Sequence, residues 1–143
     1  MSPPHILFAV LLSILVSCSG NEHELPENNE PIIGTWKLEK VMNNGADVQE
    51  ACMDNNKLIA LENGNISLET YRTSSPNSPC ILVMNSAKWE KTGTNSYQII
   101  YDNSKEVAYI TNDRIVIRSS YIETLKTGVE VTVTLETFYT KSD

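Results

Sequence analysis

Three cysteines, two histidines and eighteen carboxylates are the residues of this chain best able to do chemistry. The histidines are His5 and His23, and residues 32–143 contain none. A Ser-His-Asp triad or a Cys-His dyad needs an imidazole to take the nucleophile's proton, so neither can be assembled there. Most zinc hydrolase sites fall with them, because imidazole is their usual ligand. His23, alone in a polar stretch, reads as an exposed and inert residue. What survives is carboxylate-only chemistry of the glycosidase kind, which needs two acidic groups facing each other about 5–9 Å apart. The acidic residues fall mostly in turns or on the polar side of alternating segments. Asp47, Glu50 and Asp54 come nearest to a cluster and read as a solvated loop face; the D-x-[DN]-x-[DN]-G pattern of a calcium loop is absent. The chain therefore reads as non-enzymatic, with no metal and no cofactor.

Charge narrows the partners. The 143 residues carry 18 acidic and 11 basic side chains, a net charge of -7. An acidic chain without a basic cluster is a poor partner for nucleic acid or for a bare anionic membrane surface. The length is one domain's worth, with room for a core but little for a large enzyme cleft besides.

The first 17 residues contain no Asp, Glu, Lys or Arg. Within them, residues 6–16 read I-L-F-A-V-L-L-S-I-L-V. This run is too short to span a bilayer as a helix, which takes about 20 residues. It suits the apolar region of a secretory signal. Leu15-Val16-Ser17-Cys18 then resembles the lipobox of bacterial lipoproteins. The resemblance implies that Cys18 carries a thioether-linked diacylglycerol after cleavage before it, with residues 1–17 as the signal. The alternative is an ordinary secretory signal with Cys18 as a chance thiol. A signal normally opens with Lys or Arg, and only His5 precedes the apolar run here. Either the orientation signal is weak or the true start lies elsewhere.

Residues 18–31 follow as a tether. Residues 19–31 hold four Glu, three Asn and two Pro, with Leu25 the one apolar side chain. Such a segment cannot bury surface and is expected to be disordered. An acidic stretch after the lipidated Cys resembles the surface-export signals of Bacteroidetes lipoproteins. The expected location is the cell envelope, lipid-anchored, on the periplasmic or surface face of the outer membrane. With Cys18 assigned to lipid, Cys52 and Cys80 remain, an even number in an oxidising compartment. They are expected to pair; two free thiols or a metal site are the alternatives.

The elements that would position these residues are strands. From Ile32 onward, short runs alternate with period two, and turn residues separate them every 8–12 positions. The first is residues 32–42, in which Ile32, Gly34, Trp36 and Leu38 point one way. Asn43-Asn44-Gly45 is a turn, and in residues 46–56 Asp47 is placed to cap a short helix through Met53. Further strands are predicted at 57–61, 65–72, 80–84 with 87–91 (one bent strand or two), 97–101, 106–110, 114–121 and 129–140. Asn63-Gly64 is a strong hairpin signal. Eight or nine antiparallel strands joined by tight turns predict an all-β domain over 32–143, a small closed up-and-down barrel or a sandwich.

Gly34-Thr35-Trp36 on the first strand, a Cys, the Asn63-Gly64 hairpin, a second Cys and then Lys88-Trp89 resemble the lipocalin-like lipoprotein domains of Bacteroidetes. The resemblance implies a barrel of about eight strands with Trp36 packed across one end and Gly34 letting the chain bend. It also implies a monomer that holds a small, partly apolar ligand or docks an envelope partner. Lipocalins often set an Arg from near the last strand against that Trp. Arg114 and Arg118 are candidates here, although the last strand has no Arg. The aromatic residues Tyr71, Tyr97, Tyr101, Tyr109, Tyr121, Phe138 and Tyr139 could line a cavity or merely seal the sheets.

If the Trp36 end is sealed, a ligand must reach the interior from the opposite end, under residues 43–56. Met42, Val48 and Met53 are the expected rim and Tyr71 a lining residue; the alternative is that they plug the barrel. A second functional class is an interaction or inhibitor lipoprotein with a filled barrel, acting through the projecting loop 74–79. Small barrel lipoproteins with a disulfide also include the membrane-bound inhibitors of c-type lysozyme, which insert a loop into a cleft.

Overall fold

The computed structural model describes residues 30–75 and 77–142. The lipobox, Cys18, both histidines and most of the tether lie outside the described residues, as does Pro76. The strands are β1 (Gly34–Asn43), β2 (Ala46–Asp47), β3 (Lys57–Ala60), β4 (Asn65–Arg72), β5 (Ile81–Lys91), β6 (Ser96–Ile100), β7 (Lys105–Thr111), β8 (Arg114–Thr124) and β9 (Glu130–Lys141). Consecutive strands from β3 to β9 pair antiparallel, β1 pairs with β3, and β1–β9 pairing closes the sheet. Eight strands thus form a closed, lipocalin-like up-and-down barrel, with β2 as a ninth, short strand on the free edge of β1. Closure removes the edges that a lone meander would expose along most of its length.

Tight turns produce this order. Asn44 (φ 47°) and Gly45 (φ 82°) both adopt left-handed backbone, the pair that a two-residue hairpin requires, and so generate β2. The alternating pattern does the rest. Trp36, Leu38, Leu58, Ile66, Leu68, Tyr97, Ile99, Ala108, Ile110, Ile115, Ile117 and Tyr139 are buried within the barrel, while residues between them face out.

Several boundaries differ from the sequence reading. β1 begins at Gly34, and Ile32 is fully buried in the turn before it. Residues 81–91 form one continuous strand. The helix after β2 is a single 3-10 turn, Ala51–Asn55, preceded by Glu50 with no side-chain cap. Asp47 does not cap it; its Oδ1 accepts the Gln49 N–H at 3.0 Å instead. A local Asx bond satisfied within two residues competes with capping farther along the chain.

The tether boundary also moves. Glu30 is folded against the barrel, accepting hydrogen bonds from Tyr97 Oη at 2.9 Å and Lys91 Nζ at 2.8 Å. Composition marked Glu30 as tether, but two donors on β5 and β6 capture its carboxylate and hold its pKa below the usual range.

Candidate functional site

Lengths of neighbouring hairpins create the site. β6 meets β5 only along residues 88–91, and β7 meets β8 only along residues 114–118. The β4–β5 and β8–β9 hairpins run farther, pairing to Ile81 and to Thr124. The short β6–β7 hairpin therefore leaves a notch in the wall at the end away from Trp36. A cavity of about 700 Å³ lies there, within the usual size of small-molecule sites. Below it the barrel is packed, with Trp36, Tyr97, Leu58, Ile99 and Ile115 at most 1% exposed.

The alternation that built the core continues into this cavity. Glu106 stands two residues before buried Ala108 and four before buried Ile110, so it sits on the inner side of β7. Tyr101 follows Tyr97 and Ile99 on the inner side at the end of β6, and Thr137 precedes Tyr139 on β9. Leu68 and Thr70 of β4 and Asn85 of β5 complete the inner wall, and Asp102, Asn103 and Ser104 of the β6–β7 turn form its lip.

Tyr101 Oη donates to Glu106 Oε2 at 3.0 Å. Burial, then the nearby Glu106 carboxylate, pushes the Tyr101 phenol far up and the Tyr139 phenol up to about 12. Both therefore stay protonated and neutral at physiological pH. Tyr139 is 8% exposed, and among the described residues its hydroxyl has no hydrogen-bond partner.

The residues singled out from sequence lie as follows. Cys52 and Cys80 form a disulfide, with Cα atoms 5.6 Å apart, fastening the 3-10 turn to the start of β5. Trp36 is 1% exposed and donates from Nε1 to the Ile32 carbonyl at 2.8 Å. Neither arginine candidate meets its ring. Lys141, the last residue of β9, sets its Nζ 5.4 Å above it, within cation–π range. Arg114 and Arg118 instead pair with Glu39 and Glu136 on the outer face. Gly34 has φ 134°, a backbone conformation that calls for glycine, and a Cβ there would meet the Lys141 side chain at Cε, 3.3 Å away.

None of the four expected ligand residues lines the cavity. A bulge between Leu38 and Lys40 reverses the phase of β1. Val41 consequently joins the core, while Met42 faces outward opposite Glu136. Tyr71 lies out of phase with buried Ile66 and Leu68 and pairs with exposed Leu82 on the outer face. Val48 is exposed, and Met53 packs against the core from the 3-10 turn. That turn fills the gap between β1 and β4 rather than roofing the cavity. Asn56, unnoticed in the sequence, makes the seam. Its carbonyl accepts the Leu38 N–H at 2.9 Å and its Oδ1 accepts the Tyr71 N–H at 2.6 Å, joining β1 to β4 just before β3 begins.

Glu106 was also missed. In Lys105-Glu106-Val107-Ala108-Tyr109-Ile110 both faces carry apolar residues, and the exposed Val107 and Tyr109 mask the inner phase. Of the site, only Tyr101 and Tyr139 carried a signal, as aromatic candidates. Among the described residues no group of three His, Cys, Asp or Glu side chains is placed to hold a metal. No protein-family model matches the sequence, and no curated protein matches it.

Proposed function

We propose that this chain is a lipid-anchored, non-enzymatic binding protein of the bacterial cell envelope, related to the lipocalin-like lipoproteins, which holds a small molecule in the open end of its barrel. One observation carries the reading: the barrel is tightly packed at the Trp36 end yet keeps a cavity of about 700 Å³ at the other. A barrel serving only as a rigid scaffold gains nothing from leaving its inner wall unfilled, because close packing is where its stability comes from. The Cys18 lipobox supports the anchor and the outer-membrane location, and the disulfide fits an oxidising compartment.

The test is a fragment screen against the full chain by NMR. Amide shifts confined to Thr70, Asn85, Tyr101, Glu106 and Thr137 are expected for a ligand in this cavity. If no fragment perturbs them, the reading fails.

A second reading, docking of an envelope protein, is favoured by a different observation. Residues 81–87 of β5 and 119–124 of β8 have no strand on their notch sides, and they expose Leu82, Met84, Tyr121 and Ile122. Open apolar edges are templates for an added strand. This would replace the loop 74–79 as the contact. There Thr73, Ser75 and Ser78 hydrogen-bond among themselves. Charged substitutions at Leu82 and Ile122 would abolish such docking while leaving fragment binding intact.

A further inference from the structure

The cavity's chemistry departs from what a fatty-acid or sterol site would need. Its wall is rich in hydroxyl, amide and carboxylate groups, with Leu68 and Met84 as its aliphatic members. Its charged residues are Asp102 and Glu106, both acidic. Lys88 lines a neighbouring depression that shares Asp102, Tyr101 and Ser86 with the cavity. Among the described residues, Glu106 is in no salt bridge, since the pairs formed are Lys57–Glu69, Lys91–Glu30, Arg114–Glu39 and Arg118–Glu136.

Two hydrogen-bonding positions are left open. Tyr101 occupies one oxygen of Glu106, Oε2, and among the described residues Oε1 has no donor. Among the described residues, Tyr139 is more than nine-tenths buried and its hydroxyl makes no hydrogen bond, yet no buried side-chain polar atom lacks a partner. The Tyr139 hydroxyl is therefore open to the cavity it lines.

From these observations, and resting on the proposal that the cavity holds a small molecule, we infer that the ligand is a small organic cation, an amine whose ammonium group sits between Glu106 and the Tyr139 hydroxyl. Any ligand expels water from Glu106, and an uncompensated carboxylate is costly to desolvate. An ammonium donates to Glu106 Oε1 and to the phenol oxygen while cancelling the charge, and charge-assisted bonds are roughly twice as strong as neutral ones. A neutral polyol would satisfy the donors and acceptors but leave the charge uncovered. A fatty-acid carboxylate would add a second negative group beside Glu106 and Asp102. The net charge of -7 also enriches cations around the molecule.

The experiment is calorimetric and NMR titration of the full chain with hexylamine, hexanol, hexanoate and glucose. The first three probes each contain six carbons and differ in head group. Hexylamine is expected to bind at least about tenfold more tightly than hexanol, the worth of one charge-assisted bond, with hexanoate weakest. Glu106→Gln should bring hexylamine down to the level of hexanol. Tyr139→Phe, which removes only the hydroxyl, should weaken hexylamine several-fold without changing the melting temperature by more than a few degrees. Hexanol, hexanoate or glucose binding in the cavity as tightly as hexylamine would overturn the inference and leave the small-molecule reading standing. Binding of none of the four at the cavity amides, while other fragments shift them, would likewise overturn the amine alone. Silence of those amides toward every compound would overturn both.

Discussion

Trp36 is the residue on which the closed end depends. Its ring is buried, its N–H is spent on the Ile32 carbonyl, and Lys141 covers its face. Trp36→Ala should cost about 3–5 kcal/mol, as large aromatic truncations in cores do, read as a loss of that size in urea unfolding. A loss below about 1 kcal/mol would mean the barrel closes without it. The buried tyrosines make a second residue-level prediction. Tyr97 and Tyr139 have phenols pushed up to about 12 from an ordinary 10.0, chiefly by burial. The folded state thus holds protons that the unfolded chain releases near pH 10. Stability should be unaffected by these groups below about pH 10 and fall between about 10 and 12, as the unfolded state ionises first. Urea midpoints measured across that range, with tyrosinate absorbance as a second signal, check this. A flat midpoint would contradict it.

At the scale of elements, the segment between β2 and β3 has little regular structure to hold it. Its 3-10 turn is only five residues long, and its attachments are the Cys52–Cys80 bond, Met53 against the core and the Asn56 seam. The bridge spans 28 residues of sequence, worth roughly 3.5 kcal/mol in the chain-entropy account. The Cys52→Ser, Cys80→Ser double variant should lose about 2–4 kcal/mol and become open to proteolysis between residues 48 and 56 before the barrel unfolds. Equal melting temperatures for the two proteins would refute it. Strands 65–72, 114–121 and 129–140 were readable because each has one buried face or a sharp turn beside it. The β1 bulge was not readable, because nothing in Leu38-Glu39-Lys40 marks an extra residue. It is imposed by pairing with β9, and it reverses the direction of Met42.

At the scale of the whole molecule, a packed end, an open end and a polar leader define how the protein would sit. If Cys18 carries the lipid, as proposed, the anchor lies about a dozen residues before Glu30, the first described residue, which binds Tyr97 and Lys91. Glu30 lies at the Trp36 end, so under that proposal the cavity would face away from the membrane. Cys18→Ser should release the protein from the membrane fraction and abolish labelling by a fatty-acid analogue. Unchanged partitioning would remove the anchor from the account.

The sequence by itself determined the all-β class and the approximate number and order of strands, through local signals: period-two alternation and turn dipeptides. The Cys52–Cys80 pairing was an expectation that rested on setting Cys18 aside for lipid, and the roles of Trp36 and Gly34 were implied by the lipocalin-like resemblance. Only the tertiary structure decided which residues meet at the open end. Glu106, Asn85 and Asn56 acquire their places from strand register and from the unequal lengths of hairpins far apart in sequence. A carboxylate on a strand with apolar residues on both sides has no local mark of facing inward. Closure of β1 onto β9 fixes every strand's phase at once, and that constraint spans the whole chain.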